Sequence, residues 1–336
     1  MGLILSVDVG TTNLKAALVD EAGRIVGEPC SAAMKIEGDT SGRAEHDPAA
    51  LKDALLDVCK RAVAGRGKDI EGVSLTSYQF GLVLVGADDQ PLTHISTFVD
   101  TKAQSHHPKF LKAVGNVDEM YLRTGCPPIF QYPSNRLHYL ASREPEIVGR
   151  TAHVLDSKAF LMHVLTGEYF TDYSTANSLG CLDVRGRWDG AIIRATGFDE
   201  AQFPRVLDGF SDKVPLQGTV CRELGLKRGT PVSAGLYDGA ALAAALTGFE
   251  PKIGVGNFGT SGMFRVPTKA PVEDLDGGGI QSCLLTPGFF FTGSGINNCT
   301  IASNLLLNVL QLDLNYLKGH ALSVPGSHGV MTFPYF

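Results

Sequence analysis

The 336-residue chain sets 29 lysines and arginines against 35 aspartates and glutamates, a formal net charge of −6, with 44% apolar and 19% charged residues. That length predicts two domains, and that composition supplies buried cores without the signature of disorder. No basic tract and no apolar run of bilayer length occurs, so neither nucleic acid nor membrane is an expected partner. Seven cysteines are scattered with no C-x-x-C pair, which predicts reduced thiols in a cytoplasmic protein rather than a zinc site or disulfide framework. The nine histidines show no ligand-like spacing, and His106-His107 reads as a polar pair on a surface helix. Glycine is in excess, at 39 residues, which points to turns where backbone approaches a ligand.

Leu3–Val9 and residues 14–19 alternate as two strands around Gly10-Thr11-Thr12, and residues 24–33 add a third antiparallel strand. Asp47 and Pro48 open a helix over 49–64, with Leu51, Leu55, Val58 and Ala62 on one face. Strands are expected at 70–76 and 82–85, a helix at 100–114, and mostly helix over 133–166, interrupted near Pro145. A buried strand at 232–236 feeds an alanine-rich helix at 239–246. Residues 253–257 and 263–266 then form a second strand–loop–strand unit around Gly259-Thr260-Ser261. A turn at 276–279, a strand at 289–291 and a helix at 297–310 follow, and the aromatic stop Phe333-Pro334-Tyr335-Phe336 suggests an incomplete second domain.

The two Gly-Thr-(Thr/Ser) loops echo one another, which suggests a duplicated fold with hairpins facing across a cleft. In Asp8-Val9-Gly10-Thr11-Thr12-Asn13, successive amides and hydroxyls make a nest for phosphate oxygens, and Asp8 is placed to hold a divalent cation bridging them. The plainer reading is a polar turn, and the echo at Gly259, Thr260 and Ser261 favours phosphate. The loop is neither a Walker motif nor a dinucleotide fingerprint. Asp238, between a buried strand and a helix start, suits a carboxylate that orients a substrate hydroxyl for phosphoryl transfer; an ordinary N-cap is the alternative.

These residues, with what lies between them, resemble the FGGY carbohydrate kinases, the xylulokinase and glycerol kinase group of the actin-like ATPase (ribonuclease H-like) superfamily. The resemblance rests on Asp8-Val9-Gly10-Thr11-Thr12-Asn13-Leu14-Lys15, on Ser77-Tyr78-Gln79-Phe80-Gly81 at the sugar loop, and on Phe98-Val99-Asp100-Thr101-Lys102. It continues through Leu155-Asp156-Ser157-Lys158, Thr171-Asp172-Tyr173-Ser174-Thr175-Ala176, Asp238 and Gly259-Thr260-Ser261-Gly262, in order along essentially the whole chain.

The resemblance implies an α/β fold with a complete sugar-binding domain over 1–245 and a partial nucleotide-binding domain over 246–336. It implies ATP with Mg²⁺, Asp238 as the base, Asp8 at the metal, and phosphates on Gly10, Thr11, Thr12, Asn13, Gly259, Thr260 and Ser261. Gln79, Phe80, Asp100 and Phe130 would join Asp238 around a sugar or polyol, with core packing the plainer role of each phenylalanine. Departures bear on the substrate: Gln79-Phe80 replaces Met-His, Lys102 replaces arginine, and Gly239 follows the base where xylulokinases have asparagine. The family's later adenosine-binding motif is not found, so the chain reads as a truncated kinase, a degenerate fragment or, the favoured expectation, one subunit of a split kinase completed by a second polypeptide, with oligomer formation open. The alternative function is a non-catalytic sugar-binding or regulatory relic.

Overall fold

The computed structural model describes residues 2–259, 261–277, 279–296, 298–313, 315–316 and 327–330. Thr260, the first residue of the expected 297–310 helix, and the aromatic stop at 332–336 lie outside them. The chain is α/β, as its pattern implies. Leu3–Val9 turns back antiparallel onto Asn13–Val19, with Val9 opposite Leu14, and Ile25–Ala33 continues the meander. On its other side Leu3–Val9 pairs in parallel with Ile70–Ser77, which pairs in parallel with Pro231–Ser233, and Val214–Pro215 closes the six-stranded sheet antiparallel. This strand order is the ribonuclease H-like one.

Alternation accounts for the first strand: Leu5, Val7 and Val9 are buried in the core while the residues between them are not. The crossover to Ile70–Ser77 runs through the helix Pro48–Val63, where Asp47 accepts the Ala49 amide and Leu51, Leu55, Val58, Cys59 and Val63 face the sheet. Five of the seven cysteines are buried and all are free thiols.

The segment between Ser77 and Val214 builds a second apolar cluster around Leu84, Leu137, Val154, Leu179 and Ile193. Here three expectations are corrected. Residues 133–166 are two helices, Pro133–Arg143 and Pro145–Arg150, then a strand, Thr151–Leu155, and a further helix, Ser157–Thr166. The strand pairs antiparallel with Val83–Gly86, which buries Val154 and Leu155, and Asp156 restarts the helix by accepting the Ala159 amide. The 100–114 helix begins only at His107, with Pro108 in its first turn, because the Asp100 carboxylate accepts the amides of Ala44 and Lys102 instead. His106 is buried rather than on the surface, 2.8 Å from His138 between ring nitrogens.

Beyond the helix Asp238–Thr247 a four-stranded antiparallel sheet takes over. Its order is Val255–Phe258, Gly262–Thr268, Phe289–Ile296, Gln281–Thr286. It is fixed to the first domain: Tyr121 donates to carbonyls of Val272 and Ile280, the Ser282 amide donates to Gly125, and Leu284 and Phe290 pack with Ala176 and Leu182.

Candidate active site

The first hairpin is closed by the Gly10 amide donating to the Asn13 carbonyl at 3.0 Å. A Cβ on Gly10 would lie 2.8 Å from that oxygen, so only glycine allows so tight a return. Thr11 is half-buried, and Thr12 and Asn13 are exposed. The buried ring of His46 spans 2.9 Å to the Thr11 carbonyl through Nε2 and 2.9 Å to the Tyr78 hydroxyl through Nδ1. A carbonyl can only accept, so Nε2 carries the proton and Nδ1 accepts from Tyr78; burial holds the His46 pKa down and keeps the ring neutral. Asp8, half-buried on the strand feeding this loop, has its pKa raised by burial, with Lys15 opposite it across the hairpin pulling the other way.

Asp238 is brought to the same place by the sheet. A parallel bridge joins Ser77 to Tyr237, so the residues after each, Tyr78 and Asp238, leave the sheet side by side. Tyr237 holds the N-cap position, and Asp238 is the first residue of the helix, its carboxylate accepting the Gly239 amide at 2.6 Å. The N-cap alternative therefore does not describe Asp238. Solvent reaches its carboxylate, yet protein walls surround it closely enough that desolvation dominates. Its pKa is pushed up to about 6; the Gly239 hydrogen bond opposes this, the negative charge of Asp8 adds to it, and Arg265 and Lys158 oppose it. Asp8 from the first hairpin and Arg265 from the second thus both act on the carboxylate at this helix start.

The loop after Ile70–Ser77 is held in strain. Phe80 has φ of 63°, rare for a bulky side chain, and its carbonyl accepts from Arg136 at 2.9 Å while its ring meets Tyr132 edge-on at 5.2 Å. The amide nitrogen of Gln79 and the amide oxygen of Gln131 are enclosed without a hydrogen-bond partner among the described residues. Phe130, next to Gln131, is half-buried, and its carbonyl accepts from Asn135 at 3.2 Å. Asp100 does not join these residues directly. Its side chain is buried, committed to two backbone amides and 3.6 Å from the Arg136 guanidinium, so it acts on Phe80 through Arg136. Asp100 also lines a cavity of about 200 Å³ with Lys102, Arg136 and Tyr139, whose lining does not include Asp238.

The second hairpin repeats the first. Gly259 donates to the Ser261 carbonyl at 2.9 Å, and the Thr300 amide and hydroxyl bind the Gly259 carbonyl at 2.9 and 2.7 Å. Gly259 and Ser261 are exposed; Thr260, expected between them, is outside the described residues. Four residues not singled out from sequence complete the site. His46 and Tyr78 tie the first loop to the loop after Ile70–Ser77, Ser174 accepts the Tyr237 amide at 3.0 Å, and Arg265 donates to the Tyr237 hydroxyl at 3.1 Å. For Ser174 a signal was present in the Asp172–Thr175 motif; for Arg265 the signal was Gly239.

Residues 3–246 match the family described as the FGGY family of carbohydrate kinases, N-terminal domain. The chain belongs to that family, and its fold is the actin-like ATPase fold. Among curated relatives, the gluconokinase of Bacillus subtilis is 25% identical over 99% of this chain and 67% of its own length. The xylulose kinase of Streptomyces rubiginosus is 28% identical over 99% of this chain and 66% of its own. Among solved structures, the ligand-bound xylulose kinase of Lactobacillus acidophilus superposes with a TM-score of 0.90 at 24% identity, covering 98% of this chain and 67% of that one. The gluconate kinase of the same organism gives 0.85 at 24%, covering 90% and 61%. The chain thus spans about two-thirds of the length of these relatives.

Proposed function

We propose that this chain is the sugar-binding and phosphoryl-transfer part of an ATP-dependent kinase acting on a hydroxyl of a sugar or polyol. The reading is carried by Asp238, a solvent-reached carboxylate at a helix start, under the field of Asp8 from the first hairpin and of Arg265 from the second. Residues 1–245 form the sugar-binding domain and 246–336 part of the nucleotide-binding domain. Gly10, Thr11, Thr12 and Asn13 with Gly259, Thr260 and Ser261 receive the phosphates through amides and hydroxyls. Gln79, whose amide nitrogen has no described partner, faces the sugar with Phe80 and Phe130. Asp100 holds the Phe80 loop by way of Arg136.

Asp8 suits Mg²⁺, which takes one or two carboxylates and keeps waters and phosphate oxygens for the rest of its shell. When bound there, the cation neutralises phosphate charge and relieves the repulsion between Asp8 and Asp238. Asp238 orients the attacking hydroxyl and takes its proton at the carboxylate oxygen; a loose transition state asks for orientation more than for a strong base. The names of the relatives, gluconokinase, xylulose kinase and erythritol kinase, leave the class of acceptor open.

The test is phosphate transfer from ATP to a panel of sugars and polyols with wild type and Asp238→Asn. Transfer lost in the variant with sugar binding kept supports the reading. Sugar binding without turnover, unchanged by Asp238→Asn, replaces it with a binding or regulatory protein. The finer proposal is that a second polypeptide supplies the part corresponding to the relatives' remaining third. It predicts that adding a candidate partner produces a complex and raises turnover; neither effect appearing would count against it.

A further inference from the structure

Arg265 stands on the strand Gly262–Thr268 and is 91% buried, its guanidinium 5.7 Å from the centroid of the Tyr237 ring with Nε on the Tyr237 hydroxyl. A guanidinium has five N–H donors, and only that one has a partner among the described residues. No carboxylate of the described residues lies within 4.0 Å of it, so this nearly buried cation has no direct ion pair, although the charge of Asp238 acts on it from farther off. Such a group is costly unless something anionic meets it.

Its position says what that is. The tyrosine beneath it immediately precedes Asp238, and Gly239 immediately follows. A Cβ on Gly239 would lie 2.7 Å from Nη2 and 3.0 Å from Cζ of Arg265. The guanidinium therefore occupies the space that a side chain at position 239, next to Asp238, would otherwise fill. We infer that Arg265 receives the carboxylate of an aldonic acid, an open-chain polyhydroxy acid, while Asp238 takes a hydroxyl of the same molecule. The inference rests on the kinase reading and narrows its acceptor. A planar fork matches a carboxylate with two parallel hydrogen bonds, which a neutral sugar hydroxyl cannot offer to the N–H donors that have no partner among the described residues.

The test is titration calorimetry of the full chain with D-gluconate, D-xylulose and ATP, for wild type, Arg265→Met and Arg265→Lys. Gluconate should bind wild type, more weakly as salt rises, and lose affinity on the order of 10- to 100-fold in Arg265→Met, with lysine intermediate. Xylulose affinity should not fall. If Arg265→Met does not fold, Gly239→Asn tests the same geometry, because an asparagine there must displace the guanidinium and should lower gluconate affinity while sparing xylulose. Xylulose bound by wild type with gluconate rejected overturns the acid and leaves the kinase reading standing. So does gluconate affinity unchanged in both Arg265→Met and Gly239→Asn, or ATP affinity alone falling in Arg265→Met, which would assign the guanidinium to a phosphate. Binding of neither sugar nor acid sinks both readings.

Discussion

The Ser174 hydroxyl accepts the Tyr237 amide at 3.0 Å and itself donates to Asp172. Tyr237 is the residue before Asp238, so one buried hydroxyl sets where the helix start, and with it the carboxylate, sits. Ser174→Ala leaves an amide unpaired in the interior, which costs about 1–3 kcal/mol. Because small displacements of a reacting group are expensive, phosphoryl transfer should fall far more than sugar affinity, with Ser174→Thr restoring much of it. Thermal unfolding, turnover and sugar titration measured together check this; parallel losses in turnover and affinity would reduce Ser174 to a packing role.

The same network has an ion pair at its far end. Lys158 and Asp172 are both fully buried, and Asp172 also accepts from the Thr175 hydroxyl and from the amides of Ser174 and Thr175. Removing one partner strands a buried charge, so Lys158→Met should destabilise by about 3–5 kcal/mol. Lys158→Met with Asp172→Asn should recover part of that, since the stranded charge is gone. Urea denaturation of the three variants reads the comparison, and a double variant no more stable than Lys158→Met would contradict it.

In the proposed role, Asp238 should link activity to pH in one direction and stability to pH in the other. With its pKa near 6, turnover should rise with pH through that value as the carboxylate becomes able to accept a proton, and fall away below it. For stability the sign reverses. The folded pKa lies above the unfolded value of 3.8, so the native state binds more protons between the two, and the ionised group costs stability above about 6. Asp238→Asn should therefore melt higher than wild type at pH 7–8, with the gain shrinking as pH falls toward 4. A variant less stable than wild type at pH 8 would mean that the carboxylate is not under desolvation strain.

Local pattern carried the sheet and both hairpins, because strand alternation and Gly-Thr turns are written within a few residues of where they act. Leu5, Val7, Val9 and Gly10 needed no partner to be read. The strand Thr151–Leu155 escaped because five residues between two helices give no period of their own; its pairing with Val83–Gly86 lies more than 60 residues away. Asp238 stood out in the sequence through ordered motifs, whereas the residues that surround it did not. His46 and Arg265 owe their roles to contacts 32 and 28 residues distant, and an arginine between Phe264 and Val266 reads as an ordinary strand residue. Asp100 was singled out by its motif but not in its geometry: nothing local says that its oxygens are taken by the amides of Ala44 and Lys102, leaving Arg136 to carry its influence to Phe80.

Two glycines in the first meander separate a ligand role from a folding role. Gly10 has Asn13 carbonyl oxygen 2.8 Å from the position of a Cβ, so Gly10→Ala must open the loop that presents Thr11, Thr12 and Asn13. Gly23, in the next turn, has φ of 75° but nothing within 4 Å of its Cβ position. Gly23→Ala should therefore cost stability through backbone strain, on the order of 1 kcal/mol, and leave ligand binding alone. Gly10→Ala should weaken ATP binding while sugar binding, which the proposal assigns to Gln79 and the Phe80 loop, holds. Nucleotide and sugar titrations on the two variants test the distinction. Equal ATP affinity in both would remove the first hairpin from the phosphate site, since the only change unique to Gly10→Ala is the shape of that loop.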